Sequence, residues 1–270
     1  MSKPVRLTKK VEVVPGSPNT LIYDDRIVID LGGRNASLQV SGEVQLATHG
    51  HSDHIAGLLS NAKRKYLPPE DYWTLNMIGR RAMTYGFSSR DSPFFTFDLV
   101  RQNIDPPDFS DIEVEKIKLP GHTPGHTAYL VDSVLYAGDS FFGQRVLEGF
   151  GGVPFYTDFW AAMDSLEKLR EVVGGGVEKV VVSHGPVHLD SKKARELVEF
   201  NIRFDNELVN KVKDLIKDRE ATAEEVAYLL SNNKEPANIY LNSIPIKSIL
   251  VQVAKEVRTR NGEWYINYDQ

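Results

Sequence analysis

The chain has no cysteine among its 270 residues. That excludes disulfides, thiolate ligands and a cysteine nucleophile, and leaves His, Asp and Glu as the side chains able to hold a cation. It also fits a reducing compartment. Long apolar runs are missing too. No stretch approaches the roughly 18 residues that a membrane-spanning helix needs. The start, Met1-Ser2-Lys3-Pro4-Val5-Arg6, is not followed by an apolar signal-type segment. A cytoplasmic protein with no membrane attachment is expected. Positive charge is not in excess either: the formal net charge is −5 at pH 7. This argues against a broadly nucleic-acid-coated surface, though it leaves room for a local basic patch. The rest of the composition, 41% hydrophobic and 26% charged, is ordinary for a globular protein. The length suits one large domain or a domain with an appendage.

What is present is a concentration of imidazole. Thr48-His49-Gly50-His51-Ser52-Asp53-His54 reads H-x-H-x-D-H. Imidazole is a borderline base suited to zinc and to iron or manganese. This stretch reads as a loop that turns His49 and His51 toward one ion. Asp53 and His54 then face the other way, toward a second ion. Further donors stand downstream. His122 lies in Gly121-His122-Thr123-Pro124-Gly125-His126, Asp139 in Tyr136-Ala137-Gly138-Asp139, and His184 in Ser183-His184-Gly185-Pro186. Each follows a short apolar segment, at 117–119, 134–137 and 180–182. Ligands on short loops at strand tips are how layered α/β folds build sites.

In this order, H-x-H-x-D-H, then G-H-T-P-G-H, then G-D, then S-H-G, the chain resembles the metallo-β-lactamase superfamily of metal-dependent hydrolases. Val28-Ile29-Asp30-Leu31-Gly32-Gly33 resembles that family's early Asp-x-Gly turn. The resemblance covers roughly the first 190 residues. It implies an α+β, four-layer αββα sandwich with the metals at one edge between the sheets. It also implies that His49, His51 and His122 hold a first metal and that Asp53, His54 and His184 hold a second. Asp139 would bridge the two, and Asp53 and Asp139 would be the catalytic carboxylates. The implied cofactor is two zinc ions per chain, with iron or manganese as alternatives. The implied nucleophile is a water or hydroxide between them. Asp30 is expected to orient a ligand or the turn rather than touch metal, and His126 to play a supporting part. His188 is left between a surface residue and one facing substrate. Tyr156 and Arg145 either stabilise developing negative charge or pack under the loop that follows Asp139.

Coarse periodicity places these motifs. Residues 11–14, 20–23, 26–30 and 43–48 read as strands, with a hairpin turn at Asp24-Asp25. Residues 53–59 have helical spacing, and such a helix would present its positive end near Asp53. Pro68-Pro69-Glu70-Asp71 opens a helix expected to run to about Met83. Phe87, Phe94, Phe95 and Phe97 follow, either as a local core or as a lid or dimer surface, with a linker at 105–108. A second strand group is expected at 113–119, 127–131 and 133–137, with a tight turn at Asp132. A helix over 158–172 stops at Gly174-Gly175-Gly176.

Residues 1–190 thus form the catalytic domain. Residues 191–270 form a helical appendage with helices at 191–217 and 245–257. Between them Thr222-Ala223-Glu224-Glu225 fits a capping box, and a hairpin turns at Asn261-Gly262. Three helices and a hairpin match a winged-helix module, and a related tail occurs in endoribonuclease-like members of the superfamily. The appendage carries 13 Lys and Arg against 13 Asp and Glu, whereas phosphate binding calls for a basic excess. Nucleic acid is therefore disfavoured as a partner, and a homodimer is left open.

True β-lactamases of the superfamily usually lack the bridging Asp, and many place Cys at the second metal; Asp139 and the missing cysteines argue against that activity. Flavin–di-iron oxygen reductases replace the middle His by Glu, whereas His51 stands here. The G-H-T-P-G-H motif is similar to that of glyoxalase-II-like enzymes. The reading is a dinuclear zinc hydrolase of an ester, thioester or lactone. Its rivals are a metal-dependent endoribonuclease or phosphodiesterase, a mononuclear-iron persulfide-dioxygenase-like enzyme, and a metal-stabilised binding scaffold.

Overall fold

The computed structural model describes residues 3–38, 40, 42–60, 62–76, 79, 104–105, 110, 112–149, 151–217 and 219–254, with the backbone of 256–260 and 263–267. Two sheets dominate it. The first has six strands in chain order: β1 (Val5–Arg6), β2 (Val11–Val14), β3 (Thr20–Tyr23), β4 (Ile27–Ile29), β5 (Val44–Leu46) and β6 (Arg64–Tyr66). The second has the order β11-β10-β9-β8-β7, built from β7 (Glu115–Lys118), β8 (Thr127–Val131), β9 (Val134–Tyr136), β10 (Lys179–Val181) and β11 (Leu189–Asp190). Asp24 and Asp25 have φ of 53° and 51°, and Asp132 and Ser133 have 45° and 63°. Both pairs take the left-handed conformation that tight hairpin loops demand, in a three-residue loop at 24–26 and a two-residue loop at 132–133, and short polar side chains tolerate it best.

Alternation along the strands decides which layer each side chain enters. Tyr129, Val131, Val134, Tyr136 and Val181 pack between the sheets against Val13, Leu21, Ile29 and Leu46. Their neighbours Ala128, Leu135, Val180 and Val182 point the other way, onto α3 (Phe159–Gly174), which follows the short α2 (Gln144–Gly149), and α4 (Ser191–Ile216). The far face of the first sheet is covered by Ile55, Leu58 and Leu75, from α1 (Ser52–Ile55) and two short 3-10 turns. The order helix, sheet, sheet, helix is the expected sandwich. Short turns make up the outer layer over the first sheet among the described residues.

Three helices differ from expectation. The predicted helix from Pro68 to Met83 is a 3-10 helix, Pro69–Leu75; the residues that would extend it past 76 lie, Gly79 apart, outside the described ones, as do Phe87, Phe94, Phe95 and Phe97 and residues 106–108 of the expected linker. Thr74 Oγ1 donates to the Asp71 carbonyl at 2.7 Å and Trp73 Nε1 to the Glu70 carbonyl at 2.9 Å. Such side-chain bonds compete with α-helical pairing. Residues 53–59 form α1 and then a 3-10 turn, because the Gly57 amide turns aside to the Leu31 carbonyl at 2.5 Å.

After β11, α4 is followed by α5 (Ala223–Leu230) and α6 (Pro236–Val253). Thr222 and Glu225 form the expected reciprocal cap, at 2.8 and 3.1 Å. The last helix begins nine residues earlier than Pro245, which sits inside it. Proline is favoured at a first helical position, and Pro236 occupies that place. Strands β12 (Glu256–Arg260) and β13 (Glu263–Asn267) pair antiparallel, with Arg260 opposite Glu263; Asn261 and Gly262, where the turn is expected, lie outside the described residues. These helices share a core with the sandwich: Val212, Val226, Ile246 and Ile249 pack with Phe142, Val153, Tyr156 and Phe159.

Candidate metal centre

Parallel pairing brings the relevant strand ends together. Strands β4, β5 and β6 run parallel, as do β9 and β10. Strand β7 runs the same way as β9, since each is antiparallel to β8. Asp30, His49, Asp71, His122, Asp139 and His184 all lie just beyond the carboxyl ends of these strands, at one edge of the sandwich. Cross-links hold that edge shut. The Thr127 amide donates to the Thr48 carbonyl at 2.9 Å, and the Asn19 amide to the Ser183 carbonyl at 2.8 Å.

The seven side chains expected from the sequence fall into two groups. His49, His51, His122 and Asp139 form one, and Asp53, His54 and His184 the other; within each, one potential ligand atom per residue lies within 4.8 Å of the rest. His51 Nδ1 is 2.8 Å from His49 Nε2 and 3.0 Å from His122 Nε2. Asp139 Oδ2 faces both groups, 3.4 Å from His122 Nε2, 3.4 Å from His184 Nε2 and 3.6 Å from His54 Nε2. Asp53 Oδ2 is 3.5 Å from His184 Nε2 and 3.6 Å from His54 Nε2. Side-chain exposure is 31% for Asp53 and 18% for His184, so these two open to solvent while His49 and His54 are sealed.

The outer ring nitrogens are fixed by bonds that settle the tautomers. Thr48 Oγ1 donates to Asp30 Oδ2 at 2.7 Å, so it accepts from His49 Nδ1 at 2.9 Å. His54 Nδ1 donates to Asp30 Oδ2 at 2.7 Å, and His122 Nδ1 to the Phe155 carbonyl at 2.7 Å. Nε2 of His49 and His122 is thereby left with a lone pair aimed inward, the arrangement metal-binding histidines require. His184 Nδ1 pairs with Ser17 Oγ at 2.8 Å. His54 Nε2 and Asp139 Oδ1 are buried atoms with no hydrogen-bond partner, and such atoms are costly unless something else satisfies them.

Electrostatics fit a cation. Burial, reinforced by neighbouring imidazoles, holds His49 far below the ordinary histidine range and His51 down at about 3, and burial lowers His122 as well. These three are neutral bases. Burial also works against a charge on His54, but the carboxylates of Asp30, Asp53 and Asp139 outweigh it and push the ring up to about 9. Asp139 raises His184 to about 11. The donor set suits divalent ions of borderline hardness.

Asp30, expected to orient, accepts from the Thr48 amide, the Thr48 hydroxyl and His54. His126, expected to support, accepts the Asp139 amide on Nε2 at 2.9 Å. The turn that makes this possible needs glycine. Gly138 has φ +59°, and a Cβ there would lie 2.5 Å from His126 Nε2. His188 and Arg145 are exposed. Tyr156 is fully buried, its hydroxyl 3.3 Å from Asp205, so packing beneath the loop is its observed place. Asp71 was not anticipated. Buried beyond β6, it accepts from the Gly50 amide at 2.8 Å, Thr123 Oγ1 at 2.7 Å and the Gly125 amide at 2.7 Å. It staples the His49–His51 loop to the His122 loop. Its sequence signal is a carboxylate shortly after a strand, as for Asp30 and Asp139.

The model of the Metallo-beta-lactamase superfamily matches residues 46–184, just over half of the chain. The chain belongs to that superfamily. It is 30% identical over 160 residues to a hydroxyacylglutathione hydrolase of Shewanella sp. (strain ANA-3), covering 53% of each chain. It is 31% identical over 137 residues to one of Photobacterium profundum, covering 47% of each. The chain spans about half the length of these curated relatives. Among solved structures, a beta-lactamase domain protein from Burkholderia ambifaria superposes with a TM-score of 0.64 at 14% identity, over 98% of this chain and 93% of that one. A metallo-beta-lactamase family protein from Thermus thermophilus gives 0.61 at 16% identity, over 98% and 97%. Both likenesses concern the fold, and both extend through the C-terminal helices.

Proposed function

We propose that this chain is a dinuclear metal-dependent hydrolase of esters, thioesters or lactones, with zinc as its cofactor. The observation that carries the reading is Asp139 Oδ2, which stands 3.4–3.6 Å from nitrogens of both donor groups. A carboxylate so shared suits a pair of cations rather than one. In this reading His49, His51 and His122 hold the first ion, Asp53, His54 and His184 the second, and Asp139 joins them. When bound, such a pair lowers the pKa of water toward about 7 and polarises the oxygen of the bond under attack.

The chain's own residues do the remaining work. Asp30, Thr48 and the Phe155 carbonyl hold three imidazoles in the tautomers that face inward. Asp53, its side chain 31% exposed at the opening, accepts a proton as an attacking water is consumed. The Phe155 ring lies 5.6 Å from that of His51 and 5.7 Å from that of His122, giving substrate an apolar wall on one side. Two further points support an acyl substrate of modest size. The relatives' name, hydroxyacylglutathione hydrolase, specifies hydrolysis of an acyl group. The C-terminal region also has no basic excess to neutralise a phosphate backbone.

The test is a panel of thioesters, esters and lactones, run beside labelled RNA and a persulfide with the protein loaded with zinc and, separately, with iron. Turnover of an acyl substrate that disappears in His51→Ala is expected. RNA cleavage that disappears in the same variant, or oxygen consumption with a single bound iron, would replace this reading by one of its rivals.

A further inference from the structure

Helix α4 contributes none of the donor atoms, yet it carries two buried polar side chains on its apolar stripe, Asn201 and Asp205, one turn apart. Asn201 Oδ1 accepts from the Phe142 amide at 3.0 Å, and its Nδ2 donates to the Phe142 carbonyl at 2.9 Å and to the Leu197 carbonyl at 2.8 Å. One side chain thus satisfies both backbone groups of a single residue in another element. Asp205 takes the Tyr156 hydroxyl at 3.3 Å. The two contacts fall at the two ends of one excursion, residues 142–156.

Both ends of that excursion reach His122. Its first residue, Phe142, comes three positions after Asp139, and its ring is 5.8 Å from the His122 ring. Next to its last residue, the Phe155 carbonyl takes the His122 Nδ1 proton. A third link runs parallel. Ser248 on α6 accepts the Phe159 amide at 3.0 Å, at the start of α3, where the Thr157 and Asp158 amides donate to the Gly121 carbonyl at 2.8 and 3.0 Å. Each of these three links from the C-terminal helices therefore ends at His122 or its neighbours.

We propose that Asn201 and Asp205 are positioning residues that clamp both ends of the 142–156 excursion, so that α4 sets the orientation of the His122 imidazole toward the cation. The C-terminal helices are then part of the metal centre's frame rather than an attachment beside it. The inference rests on the reading of His122 as a metal ligand.

The experiment is a cobalt(II) titration of the metal-free full chain, followed by its visible absorption, for wild type, Asn201→Ala, Tyr156→Phe and the exposed α4 control Lys211→Ala. Bonds that orient a ligand from outside the coordination sphere are worth about 10–100-fold in metal affinity. Asn201→Ala is expected to bind cobalt at least about tenfold more weakly, with an altered band shape at full loading and an unchanged far-ultraviolet spectrum. Tyr156→Phe, which removes one hydroxyl, should move in the same direction, and Lys211→Ala should not move. A merely structural role would lower the melting temperature and leave the cobalt spectrum alone; wild-type affinity and band shape in both variants would overturn the clamp. If Asn201→Ala fails to fold, Tyr156→Phe decides by the same readout. Failure of wild type itself to bind cobalt would instead overturn the metal-centre reading.

Discussion

At the scale of single residues, the clustered side chains rest on Asp30 and His126, which the sequence marks, and on Asp71, which it does not. His49, His51, Asp53 and His54 announce themselves by crowding four ligand-type side chains into six positions. Asp71 carries no such mark. Its role is created by Gly50, Thr123 and Gly125, which lie 21, 52 and 54 residues away. Asp71→Ala would leave these donors without their acceptor in a buried place, at a cost of about 1–3 kcal/mol for each unsatisfied group. It should lower zinc affinity about 10–100-fold, measured by competition with a chromophoric chelator. Unchanged affinity would remove Asp71 from the frame of the site. Asp205 offers a test by pH. Burial pushes its carboxyl up to about 8, so the folded chain keeps a proton that the unfolded chain releases in the ordinary carboxylate range. Between those limits the folded state binds more protons, and stability falls as pH rises, levelling off above about 8. Asp205→Asn should remove that slope in denaturant unfolding measured from pH 5 to 9. A slope that survives the substitution would place the titration elsewhere.

At the scale of elements, the strands were legible because alternation records which layer each side chain enters. Ala128 and Leu135 face the helices while Tyr129 and Tyr136 face the other sheet. Helix limits were less so. Pro245 has the look of a helix start, but it is buried with Ile246, Ile249 and Leu250, and tertiary packing outweighs the local signal that proline gives. The loop after β9 depends on backbone more than on side chains. Gly138→Ala would put a methyl group against His126 in a left-handed conformation, costing about 1–3 kcal/mol and displacing Asp139. The melting temperature and the zinc affinity should both fall. Gly143, where an added Cβ meets nothing within 4 Å, is the matched control. Equal behaviour of the two alanine variants would contradict the argument.

At the scale of the whole molecule, the division at residue 190 followed a change in sequence character, from short strands to long helices. The core does not respect that change: Phe142, Tyr156 and Phe159 pack with Val212, Val226 and Ile249. Sequence patterning reports what each segment is, and only poorly whom it packs against, so the joint core was invisible to it. Among the described residues, no helix is long and apolar enough to cross a membrane. Because donor side chains come from both sheets, a bound cation pair would tie the two layers together, and chelation should lower the melting temperature in proportion to the affinity lost. The most direct measurement is elemental analysis of the zinc-equilibrated chain beside Asp139→Ala. Two zinc ions per wild-type chain, with a loss of at least one in the variant, is the predicted result; no bound metal in the wild type, or two ions held as tightly by Asp139→Ala, would contradict it.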